Sequence, residues 1–393
     1  MRQQQRNICK LGNGSHLGKI IALTLLSLLS QTSLHAIENT RGDSTVAACA
    51  DTLAQPVKKK ESGIVRFLNR LTEVDTNYVR PNMYNLQGMV YSDMLFNIYK
   101  LSGEDENGEN TQSLYFSPYS TLHVGPYISY SLIFMGYTFN LGRKQTSSGR
   151  SNMYLCIYSP IIGIDYYYQK GVNNYRLTRA SGFDSEASKN INKIAFSGID
   201  TYLQNLNAYY VFKHKKFSYS AAYSQSGQQK RSAGSFILGF NYARQKLTFD
   251  HTQLPDYLQY DDLGSPILNE ALKISNIDYR YYSINLGYSY NWVFAKNMLF
   301  NITLTPSIGY NVNKGERLEL NSDLFKYTNI NFDLTARNAI VWNTGTFFAG
   351  VNTVVHTYSY RRSSFSVLNA LFKINAYVGI GFWKKKAYRK KKQ

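Results

Sequence analysis

The 393-residue chain is basic, with 44 Lys and Arg against 25 Asp and Glu, and it is rich in aromatic residues, with 34 Tyr and 21 Phe. Its mean hydropathy is negative and long apolar runs are scarce, which argues against a helical membrane protein. No zinc finger, helix-turn-helix or RNP-like motif accompanies the basic charge, so we expect no nucleic-acid partner. One alternating pattern runs from about Tyr84 to Phe382 without a Pro-, Gly- or Ser-rich linker, which indicates a single large domain.

The N-terminus carries a short apolar run, Ile20–Leu29, preceded by basic residues. A run of about ten residues is too short to span a bilayer as a helix, and its position is typical of a secretory signal. We predict a signal peptide over residues 1–36. Residues 37–82 then form an N-terminal periplasmic segment, disordered at first and carrying a short amphipathic helix around Ile64–Leu71.

Further along the chain, apolar and polar residues alternate with period two, as in a β-strand with one apolar face. Phe217 and Tyr219 alternate with Ser218 and Ser220, and the run from Phe236 to Tyr242 repeats the scheme after a polar break. We interpret these two runs as a β-hairpin. The phase of the alternation changes near Ser131, which predicts a tight turn or a bulge there.

The clearest strands lie in the C-terminal half, over residues 282–294, 298–312 and 368–382. Strands of soluble sandwiches average about five or six residues, whereas a tilted strand needs about 9–11 residues to cross a bilayer. The fold class is therefore predicted to be all-β, a closed antiparallel transmembrane β-barrel. Its apolar face meets lipid, and its inner face is mostly Ser, Thr, Asn and Gly with a lone Lys373. The alternative is a soluble periplasmic β-rich binding protein with the apolar face in its core.

The barrel is predicted to span residues 83–383. About eleven strands can be marked, and single-chain barrels usually have an even number. A turn at Asn343–Gly345 gives about 12 strands, and merging an early pair gives ten. Residues 170–197 are expected to form the longest irregular loop. The basic tail, residues 384–393, is expected to lie in solvent beside anionic lipid headgroups.

Several segments carry a family resemblance: Asp75–Val79, Lys215–Tyr219, Gln229–Ser235 and Asn375–Phe382. With these stretches the chain resembles DUF4421, a domain-of-unknown-function family of Gram-negative bacteria. The resemblance spans roughly residues 64–383, and the basic tail departs from barrels that end on an aromatic residue. It implies an outer-membrane β-barrel, and it transfers no catalytic residues because the family has no assigned activity.

No glycine-rich phosphate loop, HExxH or GxSxG motif is present, and Cys49 and Cys156 are too isolated to indicate a disulfide framework or a zinc site. His123 and Asp165 are phased toward the lumen. With His356 they are the candidates for a hidden catalytic constellation, which needs a nucleophile held by a base. A lone lumenal His or Asp satisfied by neighbouring hydroxyls is more common, so we predict no catalytic site, no cofactor and no metal.

These observations favour a non-enzymatic outer-membrane barrel that is structural or passes small solutes. An outer-membrane enzyme acting on lipid or peptide remains an alternative. The expected partners are outer-membrane lipid, lipopolysaccharide and the barrel-assembly machinery. The sequence leaves the oligomeric state open.

Overall fold

The computed structural model describes residues 73–105, 107–108, 110–119, 122–130, 133–141, 151–170, 175–183, 191–313, 330–362 and 364–389. The predicted signal peptide, the amphipathic helix around Ile64–Leu71 and Cys49 lie outside these residues. No helix within the described ranges is long and apolar enough to cross a bilayer.

The described residues contain eighteen β-strands, numbered in chain order. The first nine are β1 (Val79–Pro81), β2 (Tyr84–Glu104), β3 (Thr111–Pro118), β4 (Leu122–Tyr130), β5 (Ile133–Gly136), β6 (Phe139–Asn140), β7 (Ser151–Tyr158), β8 (Ile162–Lys170) and β9 (Tyr175–Ser181). The others are β10 (Ile194–Phe196), β11 (Ile199–Val211), β12 (Gly227–Gln229), β13 (Ala233–Phe249), β14 (Asn276–Ala295), β15 (Met298–Asn313), β16 (Ile330–Asn343), β17 (Phe347–Arg362) and β18 (Phe365–Lys384).

Twelve of these strands form a closed antiparallel ring in the order β2, β18, β17, β16, β15, β14, β13, β11, β8, β7, β5, β4. The ring closes at β2, which pairs with β18 along most of its length and with β4 over Leu86–Met94. Beyond that stretch β2 pairs with β3, which continues the sheet into β9 and β10. The prediction of twelve strands is confirmed, and so is the turn that separates β16 from β17.

The strand faces alternate as the sequence predicted. Along β14, Ile284 and Leu286 are 63% and 55% exposed, whereas Ser283 and Ser289 are 3% and 0% exposed. Apolar side chains on the outer faces of the other ring strands continue this belt, among them Val90, Ile128, Phe240, Leu304, Ile340 and Val378. A closed ring leaves no unpaired strand edge facing lipid. The described chain therefore has the fold of an outer-membrane-type β-barrel.

The two ends of the barrel differ in their connections. At the terminal end, where β2 begins and β18 ends, neighbouring strands are joined by short turns such as 159–161, 296–297 and 344–346. Tyr130 of β4 and Ile133 of β5 pair directly at the same end. The turn or bulge predicted near Ser131 lies outside the described residues. The opposite, distal end carries the longer connections, including residues 250–275.

The predicted hairpin strand at residues 217–224 is wrong. The true hairpin joins β11 to β13, and residues 212–232 between them form a plug with the short helix α1 (Tyr219–Tyr223) and β12. The inner part of the plug, residues 217–229, is mostly buried, whereas its two ends are exposed. Both predicted faces are buried, because Phe217, Ser218 and Ala222 are each at most 1% exposed. The serines that looked like a polar strand face instead bond locally: Ser218 Oγ accepts from the backbone N–H of Ala221 and caps α1.

The distal half of the lumen is apolar, which corrects the prediction of a mostly polar inner face. Residues 250–275 fold as the distal cap, with 3₁₀ turns at His251–Gln253 and Glu270–Leu272 and the short helix α2 (Asp256–Gln259). Its leucines, including Leu258 and Leu272, pack on inward aromatic residues of the ring strands such as Tyr281 and Tyr358, and together they form the distal apolar cluster. Residues 170–197 are also less irregular than expected, since they contain β9 and β10.

Candidate functional site

A cavity of about 120 Å³ lies inside the barrel, lined on one side by plug residue Tyr223 and on the other by Tyr358 of the distal apolar cluster. Its charged and polar lining consists of Asp165, Asn205, Arg337, Asn352, His356, Lys373 and Asn375. The inward phase of Asp165 and that of Lys373 in the last strand are thus as the sequence predicted. This cavity is the candidate functional site.

An ion pair crosses the cavity. Arg337 Nη2 of β16 donates to Asp165 Oδ2 of β8 at 3.1 Å, and both side chains are largely buried. The Tyr158 hydroxyl donates to the other carboxylate oxygen of Asp165 at 2.5 Å. A buried carboxylate is tolerated when it is paired and hydrogen-bonded, and both oxygens of Asp165 have such partners.

Arg337 was missed by the sequence reasoning. The signal lay in the alternation of Asp333, Thr335 and Arg337 with the apolar Phe332 and Leu334, which places the polar series on the lumenal face of β16.

His356 lies in the same cavity as Asp165, so the structure brings together two of the three candidate residues. The imidazole ring stacks on the Tyr358 ring, with centroids 4.0 Å apart and planes inclined by 13°. Opposite, Lys373 Nζ is 5.7 Å from the centre of the Tyr91 ring. These contacts hold the side chains within the packed lumen.

His123 does not reach this cavity. Its Nδ1 atom is 3.7 Å from Asp93 Oδ2, and both side chains are buried between β2 and β4. Asp93 lines a smaller adjoining cavity that also contacts Lys373 and Tyr91. The three candidate residues therefore lie in two places in the lumen: Asp165 and His356 line the larger cavity, whereas His123 pairs with Asp93.

The plug is fixed by polar side chains rather than by apolar packing alone. Gln229 Oε1 accepts from Ser218 N at 2.9 Å and from Asn291 Nδ2 at 3.0 Å, while its Nε2 donates to Lys216 O and Arg231 O. Gln229 also belongs to β12, which pairs with β1 in a separate two-stranded sheet. Through its side-chain amide and its backbone pairing, this one residue connects the plug and the strand ahead of the barrel to the wall.

A second amide fixes the plug on the other side of the lumen. Gln225 Nε2 donates to the Tyr377 hydroxyl at 2.6 Å, and Asn343 Nδ2 donates to Gln225 Oε1 at 3.2 Å. The backbone carbonyl of Gln225 accepts from Gln87 Nε2 at 3.2 Å. Three strands of the wall, β2, β16 and β18, thus hold a single plug residue.

The size of the cavity limits its chemistry. Sites for drug-sized ligands usually enclose about 300–1,000 Å³, so a space of about 120 Å³ is too small for a lipid or peptide and suits a few water molecules. Among the described residues, no group of three or more His, Cys, Asp or Glu side chains is arranged to hold a metal ion. The side chains that line the cavity are therefore best suited to filling the lumen.

A family model described as a domain of unknown function, DUF4421, matches residues 73–382, from the segment before β1 to near the end of β18. The chain belongs to this family. The DUF4421 match covers the plug and the distal cap as well as the ring strands. A search of proteins with curated descriptions found no match.

Solved structures similar to this DUF4421 chain include the outer membrane protease OmpT from Escherichia coli, with 11% identity, a TM-score of 0.34, and 77% of this chain and 98% of that chain covered. A bacterial polysaccharide outer membrane secretin has 7% identity and a TM-score of 0.30, with 76% and 99% covered. The CymD monoaromatic hydrocarbon channel has 8% identity and a TM-score of 0.27, with 77% and 89% covered. At these identities the neighbours assign no activity to this chain.

Proposed function

We propose that this DUF4421 protein is an integral outer-membrane β-barrel without a catalytic role, and that its lumen is closed in the resting state. The observation that carries the proposal is the combination of an outward apolar belt with a lumen occupied at both ends, by the plug and by the distal apolar cluster. A water-filled pore would instead require a continuous polar channel.

The outward belt supports membrane insertion over the alternative of a soluble periplasmic protein. Side chains such as Ile284, Leu286 and Val378 are more than half exposed and lie on successive outer positions of their strands. A contiguous apolar surface of this extent is rare on soluble monomers, and lipid covers it without cost.

The buried network supports a structural role over an enzymatic one. Asp165 is committed to Tyr158 and Arg337, and the cavity beside it is too small for a lipid or a peptide. Passage of a small solute through this barrel requires the plug to move, because Gln225 and Gln229 bridge the lumen to the wall.

Two measurements test the proposal. Membranes containing the protein are washed with alkaline carbonate, and the purified protein is then inserted into planar bilayers for conductance recording. We expect the protein to stay in the membrane pellet and to show little conductance. A variant in which residues 213–231 and residues 251–274 are each replaced by a short Gly-Ser linker should conduct measurably more, since the lumen loses both the plug and the distal cap.

Release by carbonate would contradict membrane insertion. A steady, large conductance of the unmodified protein would contradict the closed resting state. A barrel that lacks both segments, folds and still conducts no ions would show that the plug and the distal cap are not the barrier.

A further inference from the structure

The terminal end of the barrel is strongly basic. Its exposed cations lie on the turn segment Lys213–Lys216, on Lys230 and Arg231, and on Lys384–Arg389. The acidic residues of the described chain at this end are Glu73 and Asp75, and Glu73 is paired with Lys215 at 3.0 Å. These three cationic segments are called the basic rim. The distal end differs, because cations there are paired with acidic residues: Arg361 with Glu104 and Arg244 with Asp278.

The outer surface beside the basic rim is aromatic, and Trp383 is placed there by an exception to strand alternation. Phe382 faces outward and is 44% exposed. The next residue on a regular strand would face the lumen, but Trp383 has φ 65°, a left-handed conformation that is uncommon for a bulky residue. Trp383 is consequently 58% exposed, so two adjacent aromatic side chains lie on the surface where the apolar belt ends.

The lysines after Trp383 are held at this position. Lys384 still pairs with Tyr84 of β2, the Lys385 backbone N–H donates to Met83 O at 2.9 Å, and residues 386–388 form a 3₁₀ turn. Within the described part of the chain, none of Lys384, Lys385 and Lys386 forms an ion pair with an acidic residue. Burial lowers the pKa of Lys385, because the ammonium group loses hydration.

We propose that the basic rim, centred on Trp383 and Lys384–Lys386, binds the headgroups of anionic phospholipids in the inner leaflet of the outer membrane. Short turns mark the periplasmic end of such barrels, so the terminal end faces the inner leaflet. Trp is enriched at membrane–water interfaces, and lysines near the surface attract anionic headgroups. The proposal rests on the membrane insertion proposed above.

Anionic cell-wall polymer is the competing partner of the same charge. The lipid is favoured because the cations adjoin exposed aromatic residues at the boundary of the apolar belt. There the lysines can contact a headgroup while the aromatic residues contact the acyl chain of the same lipid. A polymer lying away from the membrane would use the lysines and leave Phe382 and Trp383 without a role.

The experiment uses the full-length protein in detergent, mixed with equal amounts of phosphatidylglycerol and phosphatidylcholine of the same chain length. Retained lipids are counted by native mass spectrometry. The unmodified protein should retain phosphatidylglycerol preferentially. In the double variant Lys384→Gln/Lys386→Gln, the preference for phosphatidylglycerol should fall about fivefold for each lysine removed. Trp383→Ala should lower the retention of both lipids.

The matched control is Lys170→Gln/Lys193→Gln, which removes two exposed lysines from the distal half and should leave the preference unchanged. Each variant is first checked for folding by its heat-modifiable migration. Equal retention of both lipids by the folded, unmodified protein would overturn the proposal. An unchanged phosphatidylglycerol preference in the rim variant would also overturn it. So would a result in which sedimentation with isolated cell-wall sacculi depends on the rim lysines but lipid retention does not. These outcomes are distinct from failure of membrane insertion, which carbonate extraction reports.

Discussion

Arg337 on β16 and Asp165 on β8 form an ion pair between strands on opposite sides of the ring, with Nη2 and Oδ2 3.1 Å apart. Four strands separate β8 from β16 in one direction around the barrel and six in the other. The pair is therefore a direct connection across the lumen rather than a contact between neighbours. It sits beside plug residue Tyr223, which lines the same cavity.

Replacing Arg337 by Met should destabilise the barrel by about 3–5 kcal/mol, because Asp165 would keep a buried charge without its partner. The double variant Asp165→Asn/Arg337→Met should recover part of this loss, since the unpaired charge is gone. Urea unfolding in detergent micelles, followed by tryptophan fluorescence, measures the difference.

The matched control is the exposed pair of Arg361 with Glu104, in which Arg361 Nη2 is 3.0 Å from the carboxylate. Arg361→Met should cost no more than about 1 kcal/mol, because solvent screens an exposed pair. Equal losses in Arg337→Met and Arg361→Met would show that burial does not set the strength of the lumenal pair.

Gln229→Ala should loosen the plug without opening the ring, because the Gln229 side chain has five hydrogen-bond partners in and around the plug, and the substitution removes all of these bonds. Buried polar groups left without partners cost about 1–3 kcal/mol each. Cys156 reports the change, since it lines the cavity and is 4% exposed. In a Cys9→Ser/Cys49→Ser background, a maleimide should label Cys156 slowly in the parent and faster in Gln229→Ala.

Gln253→Ala is the control for this experiment, since Gln253 lies in the distal cap and bonds the exposed side chain of Asp250. Its labelling rate should match that of the parent. Rapid labelling of Cys156 in the parent protein would contradict a closed terminal end.

The strand positions and the outward faces could be predicted because lipid and lumen impose a simple period of two. The interior could not, because the plug obeys a different rule. Ser218, Ser220 and Ser224 alternate with aromatic residues as they would on a strand, yet all three are buried, and their hydroxyls bond within the plug. Alternation shows only which positions carry small polar residues. Such residues fit inside a packed segment as well as they fit on the polar face of a strand.

The candidate site was predicted only in part for a related reason. The inward phase of Asp165 followed from its strand, but its partner depends on which strands face each other across the ring. The order of strands along the sequence predicts which strands are neighbours in the sheet. Which strands face each other across the lumen depends instead on the number of strands and their stagger. The position of Arg337 opposite Asp165 therefore required the closed structure.

Leu286→Arg should impair insertion by about 2–4 kcal/mol, since Leu286 is on the outer face in the middle of β14. Phe294→Arg is the matched control on the same strand and face. Phe294 lies next to the turn at the terminal end, where the cost falls to about 0–1 kcal/mol. The yield of the heat-modifiable folded form in lipid vesicles distinguishes the two variants, and equal yields would contradict the assigned membrane span.

Deleting residues 385–393 should leave assembly largely intact, whereas deleting residues 375–393 should abolish it. β18 pairs with β2 from Phe365 to Lys384, so the short deletion keeps every register pair and removes the Lys385 N–H bond to Met83 O. The long deletion removes the pairs from Asn375 onward and leaves the first half of β2 without this neighbour, which exposes a strand edge in lipid. Folded yield and protease resistance measure both variants. Equal loss of assembly in the two deletions would assign the tail a role in insertion, whereas an assembled short variant with a reduced phosphatidylglycerol preference would confine its role to the basic rim.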